Sequence, residues 1–395
     1  MLAIVNAKVR TCGPMGTLSQ GMVLVRDKKI MAVGENLYIP EGMQVFDANG
    51  MVMTPGFIDA HTHMGMSWQE LAGEADTNEN TGVLNSHLQA LDSVDPKDVA
   101  FDDAIAGGVT TVMVHPGKLM IGEQNISPVA GQSVVLKTHG TVGQREVLRN
   151  PAAMKLAVGD DVTAFLSSRR MGPNSRMGVA ALLRGVLREA QAYARQRPQE
   201  RVGHRDLRME ALEPLLDGQI AAHVHVHRVD DILAVLRLAD EFGIRVVLEH
   251  ATEAYLVADE LATRGVPCVV GPITVAREKR GELKNLSHRT PGRLAAAGVK
   301  VALMTNHPTE PIQFLPVIAG EAVGYGMDHV EALKAITLNA AEILGVSDRV
   351  GSIEAGKDAD LVVHDGDPME AMTHIRLVVA DGEVVVNSLE SGRES

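Results

Sequence analysis

The chain is poor in cysteine and aromatic residues and carries no excess of positive charge. Two cysteines, Cys12 and Cys268, stand far apart among 395 residues. That excludes a disulfide framework and points to a reducing compartment. Aromatic residues make up 3% of the chain, the formal net charge is −13, and no long basic run occurs. A nucleic-acid-binding surface is therefore not expected. No apolar run approaches the roughly 20 residues that cross a bilayer. Met1-Leu2-Ala3-Ile4-Val5 lacks a basic lead-in and a cleavable core, so it reads as a first strand and not as a signal peptide. A cytoplasmic protein without a membrane partner is the expectation.

What is present suits a large α/β protein. Hydrophobic residues make up 45% of the chain, and there are 38 glycines. That length suits a barrel with a smaller appended domain. Short β-rich stretches occupy the first fifty residues (2–9, 21–26, 29–33 and 44–47). The same texture returns at 359–364, 375–380 and 383–387, where Asp381-Gly382 marks a hairpin. Between them, eight apolar runs alternate with helical patterns: 56–62, 109–115, 133–138, 152–158, 220–225, 245–250, 267–271 and 299–305. Eight is the number that closes a (β/α)8 TIM barrel. The expected organisation is a barrel over 55–349 and a small β-sandwich-like domain from 1–54 and 350–390. Helices are expected over 230–242, 253–264, 291–297 (with Thr290 as its N-cap) and 328–344.

The candidate chemistry lies at the ends of these runs. In Thr54-Pro55-Gly56-Phe57-Ile58-Asp59-Ala60-His61-Thr62-His63 two histidines follow an apolar strand one residue apart. Residues i and i+2 of a strand share a face, so both imidazoles can meet one metal ion, or both can be ordinary strand-end histidines. His223, His225 and His227 alternate with valines, and at most one or two of them are expected to be ligands. His250 closes the sixth run. Lys155 lies in the apolar stretch Ala153-Met154-Lys155-Leu156-Ala157-Val158. A buried lysine calls for a lowered pKa, an ion pair, or carbamylation to a metal-bridging carboxylate. Lys137 in Val134-Val135-Leu136-Lys137-Thr138 competes for that role. Lys155 is preferred, leaving Lys137 to bind a substrate carboxylate.

Four segments together give the whole chain a resemblance to a known family. They are the Pro-Gly-Phe-Ile-Asp-Ala-His-Thr-His segment, Ala106-Gly107-Gly108-Val109-Thr110-Thr111, Ala340-Ala341-Glu342-Ile343-Leu344-Gly345, and the 350–361 stretch Val-Gly-Ser-Ile-Glu-Ala-Gly-Lys-Asp-Ala-Asp-Leu. The chain resembles the amidohydrolase superfamily, and within it the imidazolonepropionase-like and prolidase-like branch. The resemblance implies a metal-dependent hydrolase that opens a C–N bond of a cyclic amide or peptide-like small molecule. It also implies His61, His63, His225 and His250 as metal ligands, with Lys155 as a bridge. The imidazole-rich set favours zinc, one ion or two, with manganese, iron or nickel as alternatives.

One position departs from the pattern. The family places an aspartate at the end of the eighth strand, where it relays a proton, and this chain has Asn306. An amide cannot act as a base near neutral pH. Three explanations stand open: an inactivated variant, a member that recruits His307 or His227 as its base, or a scaffold that binds a small molecule without turning it over. Lys118, Arg169, Arg170, Arg277, Lys279 and Arg280 follow barrel strands and are candidates to meet an anionic substrate. Arg277 and Lys279, after the seventh strand, lead that set. Trp68 and the acidic stretch 70–79 are candidates for a lid. A homo-oligomer is expected, because barrels of this kind often pair.

Overall fold

The computed structural model describes residues 1–66, 76–79, 82–117, 126–141, 143–168, 170–196, 205–275 and 281–389. The first strands are β1 (Leu2–Arg10), β2 (Thr17–Arg26), β3 (Lys29–Gly34), β4 (Gln44–Asp47) and β5 (Val52–Pro55). The barrel follows with β6 (Phe57–Thr62), β7 (Val109–Val114), β8 (Val129–Lys137), β9 (Val147–Ala157), β10 (Ala221–Val226), β11 (Val246–His250), β12 (Cys268–Val270) and β13 (Val301–Leu303). The chain returns to the first sheet with β14 (Leu361–His364), β15 (Ile375–Ala380) and β16 (Glu383–Asn387).

The unit expected from the two termini is one branched sheet. Its order is β16-β15-β14-β5-β1-β2-β3, with β4 also paired to β1. β1 carries both neighbours on one edge because its first half pairs with β4 and its second half with β5. Ile4, Val9, Val23, Met53, Leu361 and Leu377 form its core. The Asp381-Gly382 turn forms as expected, with φ of 54° and 77°, the left-handed pair that a tight hairpin needs.

Gly56 carries the chain from β5 into β6. A Cβ there would fall 2.1 Å from the Thr110 hydroxyl, so only glycine lets the two backbones approach. The barrel sheet runs in sequence order from β6 to β13. Its seam is closed by a side chain. The Asp59 carboxylate accepts the Thr305 amide at 3.0 Å, the Thr305 hydroxyl at 2.6 Å and the His61 amide at 3.1 Å. Across the same seam the His63 amide donates to the His307 carbonyl at 2.9 Å.

The third strand is reversed. β8 runs antiparallel to both β7 and β9. Residues 138–146 join β8 to β9 as a hairpin, too short for the crossover that parallel neighbours require. The C-terminal end of β8 therefore lies beside the start of β7, with Lys137 opposite Thr111.

Inside the barrel, Ile58, Met113, Val135, Ala153, Val247, Val269 and Ala302 form an apolar floor. Two positions further along their strands come His115, Lys155 and Glu249, and four beyond Ala302 comes Asn306. The period-two rule thus sets a polar layer directly above an apolar one. Outside, the helix Val229–Phe242 forms as expected, and the expected 253–264 helix divides at Ala258. The expected 328–344 helix divides into His329–Ala335 and Leu338–Leu344, with Asp328 capping the first. Thr290 is the first helical residue and not the cap, which falls on Arg289.

Candidate metal centre

The register of β6 against β7 slips between Asp59 and Thr62, a bulge that re-aims the side chains at the strand end. There the rings of His61 and His63 meet edge to face, 5.3 Å between centroids. His250 lies 5.3 Å from His61, and His225 lies 4.4 Å from His250. The four histidines expected to ligate metal are therefore contiguous. Two of them have their tautomers set by backbone carbonyls. Nδ1 of His63 donates to the His115 carbonyl at 2.7 Å, and Nδ1 of His250 donates to the Gly271 carbonyl at 2.9 Å. In a neutral ring that leaves the lone pair on Nε2, the form a metal takes. Burial drives the His63 pKa down to about 3 and holds His250 well below its ordinary value. Backbone strain gathers here as well: His250, Ala251 and Asn306 adopt φ of 63°, 51° and 51°.

Beneath these rings Glu249 is fully buried and shared. It contacts the Lys155 ammonium, His61 Nδ1 at 3.1 Å, His115 Nε2 at 3.0 Å and His223 Nδ1 at 2.8 Å. Burial pushes Lys155 well below the usual lysine range. Lys155 thus combines a carboxylate partner with a burial that disfavours its charge, and its role as a carbamylated metal bridge stays a proposal. His115 is held in turn by the Ser133 hydroxyl at 2.6 Å. Neither His115 nor Glu249 was singled out from the sequence. Both offered a signal, since His115 ends the second apolar run as His250 ends the sixth, and Glu249 directly precedes His250.

At the eighth strand, Asn306 Nδ2 donates to the Thr309 hydroxyl at 3.1 Å, while Oδ1 is buried and accepts no hydrogen bond. His307 receives the Ile312 amide on Nδ1 at 3.2 Å, so in its neutral form the proton sits on Nε2. Burial holds its pKa at about 4. The His227 ring lies 4.8 Å from that of His225 and 4.9 Å from that of His250, with Nδ1 on the Thr252 hydroxyl at 2.8 Å.

Lys137 does not join this cluster, which corrects its assignment to substrate. The reversal of β8 carries it to the barrel's other end. There its ammonium contacts Asp360, with Asp358 at 3.2 Å and Asp381 at 3.4 Å. Arg170 is exposed beyond the helix Asp160–Ser168. Arg277, Lys279, Arg280, Lys118, Arg169, Trp68 and most of 70–79 lie outside the described residues.

Among the described residues, three groups present ligating atoms within 4.8 Å of one another: His61, His115 and Glu249, and two that share His225 and His227, one completed by His250 and the other by Asp161 and Glu282. With imidazoles held neutral and an orphaned amide oxygen at Asn306, the mouth fits a divalent ion. Glu282, from the segment after β12, accepts the Asp160 amide on Oε1 at 2.8 Å. Its carboxyl is pushed up to about 8, by burial first, against that hydrogen bond, and further by Asp161, Asp160 and Asp231.

The sequence pattern of the Amidohydrolase family matches residues 219–386. A solved amidohydrolase from Thermotoga maritima MSB8 is 37% identical to this chain and superposes with a TM-score of 0.91. The match covers 98% of this chain and 100% of that one. The chain belongs to the amidohydrolase family. As a member it is a hydrolase acting on carbon–nitrogen bonds, in a metal-dependent family. Imidazolonepropionase of Geobacillus sp. (strain WCH70) is 27% identical over 413 residues, covering 94% of this chain and 91% of that protein. The amidohydrolase tasK of Hapsidospora irregularis is 26% identical over 382 residues, 89% of this chain but 38% of that longer protein. Among the described residues, no helix is long and apolar enough to cross a membrane.

Proposed function

We propose that this family member hydrolyses the C–N bond of a cyclic amide or a peptide-like small molecule, using water activated at a divalent metal, zinc first among the candidates. The observation that carries the reading is the contiguity of His61, His63, His225 and His250, two of them with Nε2 left as a donor by carbonyl-held Nδ1 protons. A divalent ion held there lowers the pKa of water and polarises a carbonyl. Three imidazoles and Lys155 surround Glu249 and fix its carboxylate beneath the ring cluster. His307, with its proton on Nε2, is able to donate and not to accept. That leaves His227 as the proposed proton acceptor in place of the missing aspartate, in the form of the protein in which no cation occupies its ring nitrogen. Arg277 and Lys279 remain the proposed contacts for an anionic group on the substrate.

Similarity to imidazolonepropionase puts cyclic amides at the head of a substrate panel, followed by dipeptide-like amides. The metal-loaded protein and its Asn306→Asp variant are assayed for release of amine or acid. Turnover by either form supports the reading. Substrate bound by both forms and recovered unchanged contradicts it and favours a binding scaffold, the reading that Asn306 itself motivates.

A further inference from the structure

We propose that the barrel mouth holds a second divalent cation, bound by Asp161, His225, His227 and Glu282, that ties three strand-to-helix connections together. The proposal rests on the metal-dependent reading above, because His225 belongs to both sets. Asp161 stands in the first turn of the helix Asp160–Ser168 that follows β9, and His225 and His227 stand at and just beyond the end of β10. Glu282 comes from the segment after β12. Residues far apart in sequence thus bring one ligating atom each to within 4.8 Å of all the others. Four atoms around one zinc, each about 2.0–2.2 Å from it, lie roughly 3.5 Å apart, so a contraction of about 1 Å closes the set.

Chemistry and packing agree with that geometry. The site is largely shielded: His225, His227 and Glu282 are 4%, 8% and 7% exposed. Asp160, Asp161, Asp231 and Glu282 crowd the same corner. The Arg176 guanidinium reaches Asp160 at 2.6 Å and Asp231 at 2.9 Å but stays 3.8 Å from Glu282. Asp231 and Glu282 are the buried members of the four, and a buried carboxylate is costly unless a cation balances it; Asp161 faces His225 Nε2 at 3.4 Å. The backbone also makes room for Glu282. Gly159 has φ of +100°, and a Cβ there would sit 2.2 Å from Glu282 Oε1.

The donor count separates the two ions. Two imidazoles and two carboxylates complete a four-coordinate set, the closed arrangement of a structural site. His225 lies between the two sets, 4.4 Å from His250 by ring centroid, while His61, His63 and His250 belong to the inner ion alone. Three protein ligands with an open position is the arrangement of a catalytic site. The outer ion also brings two carboxylates to a centre whose eighth strand ends in Asn306.

The test is cobalt titration of chelator-stripped full-length protein, followed by visible absorption and by elemental analysis after desalting. The wild type is expected to take up two distinguishable equivalents. Asp161→Asn/Glu282→Gln should lose one and keep the other, whereas His61→Ala/His63→Ala should lose the complementary one. Wild-type uptake that survives unchanged in Asp161→Asn/Glu282→Gln overturns the outer site while leaving the proposed function intact. Uptake by no form overturns both. Should the double variant not fold, anomalous diffraction from wild-type crystals grown with zinc decides. Density within about 2.5 Å of Asp161 and Glu282 oxygens supports the site, and density confined to the inner histidines contradicts it.

Discussion

Lys137 and Lys155 lie on adjacent strands of one barrel, each 1% exposed, yet their surroundings are opposite. At the base, burial pulls the Lys137 pKa down, but Asp360, Asp358 and Asp381 outweigh it and hold the ammonium above its ordinary range. Asp358 is shared with Arg349 at 2.8 Å and with Lys29 at 2.5 Å, so the base knits the barrel to the terminal sheet with matched charges. At the mouth, Lys155 faces the Glu249 carboxylate, which His61, His115 and His223 share. There burial wins and the lysine is driven well below its usual range. A (β/α)8 barrel keeps stability at one end and chemistry at the other. In this chain the division is written in how completely each buried charge is compensated.

The contrast can be broken most directly at the base. Lys137→Met leaves three aspartates facing one another, and urea unfolding should show a loss of about 3–5 kcal/mol. Metal content per folded chain should not change. A loss below about 1 kcal/mol would mean that the base charges are not coupled as described. At the mouth, Asn306→Asp restores a carboxylate where the family uses one. Hydrolysis should rise by roughly 10²–10⁴-fold, read as kcat/KM on the best substrate of the panel. No rise would place the proton acceptor elsewhere, with His227→Gln as the next variant.

Lys155→Met sharpens the comparison. Glu249 keeps three imidazole neighbours, so the unfolding free energy should fall by no more than about 2 kcal/mol, while hydrolysis is lost. Equal destabilisation by Lys155→Met and Lys137→Met would erase the distinction between the two ends. The smallest effect concerns pH. Burial raises the Asp358 carboxyl, but Arg349, Lys137 and Lys29 bring it down to about 2, below its ordinary 3.8. A depressed folded pKa contributes stability above the unfolded value that is lost as pH falls through the folded one. Acid unfolding should therefore steepen between about pH 4 and 2, and Asp358→Asn should flatten that limb. Asp360 works against it, because burial raises its carboxyl.

Much of this arrangement was legible in the residues. His61 and His63 declared themselves by spacing, His250 by its place at a strand end, and Asp381-Gly382 by turn chemistry. Lys137 was misplaced because an apolar run shows that a strand exists but not which way it points. Only the hairpin at 138–146 turns β8 over and sends that lysine to the base. Glu249 was hidden by its neighbour, since a carboxylate inside an apolar run gains meaning only once Lys155 and three histidines are seen to surround it. Asp161 and Glu282 could not be paired from sequence, being 121 residues apart on segments that only the closed barrel brings together.

The metal centre proposed for the mouth of this barrel is built on His61 and His63. Elemental analysis of protein purified without added metal, and again after zinc reconstitution, tests it directly. Bound divalent metal is expected in the wild type and less of it in His61→Ala/His63→Ala, with both proteins folded by circular dichroism. A wild type that binds no metal under either condition, or a double variant that retains the full wild-type content, would contradict it.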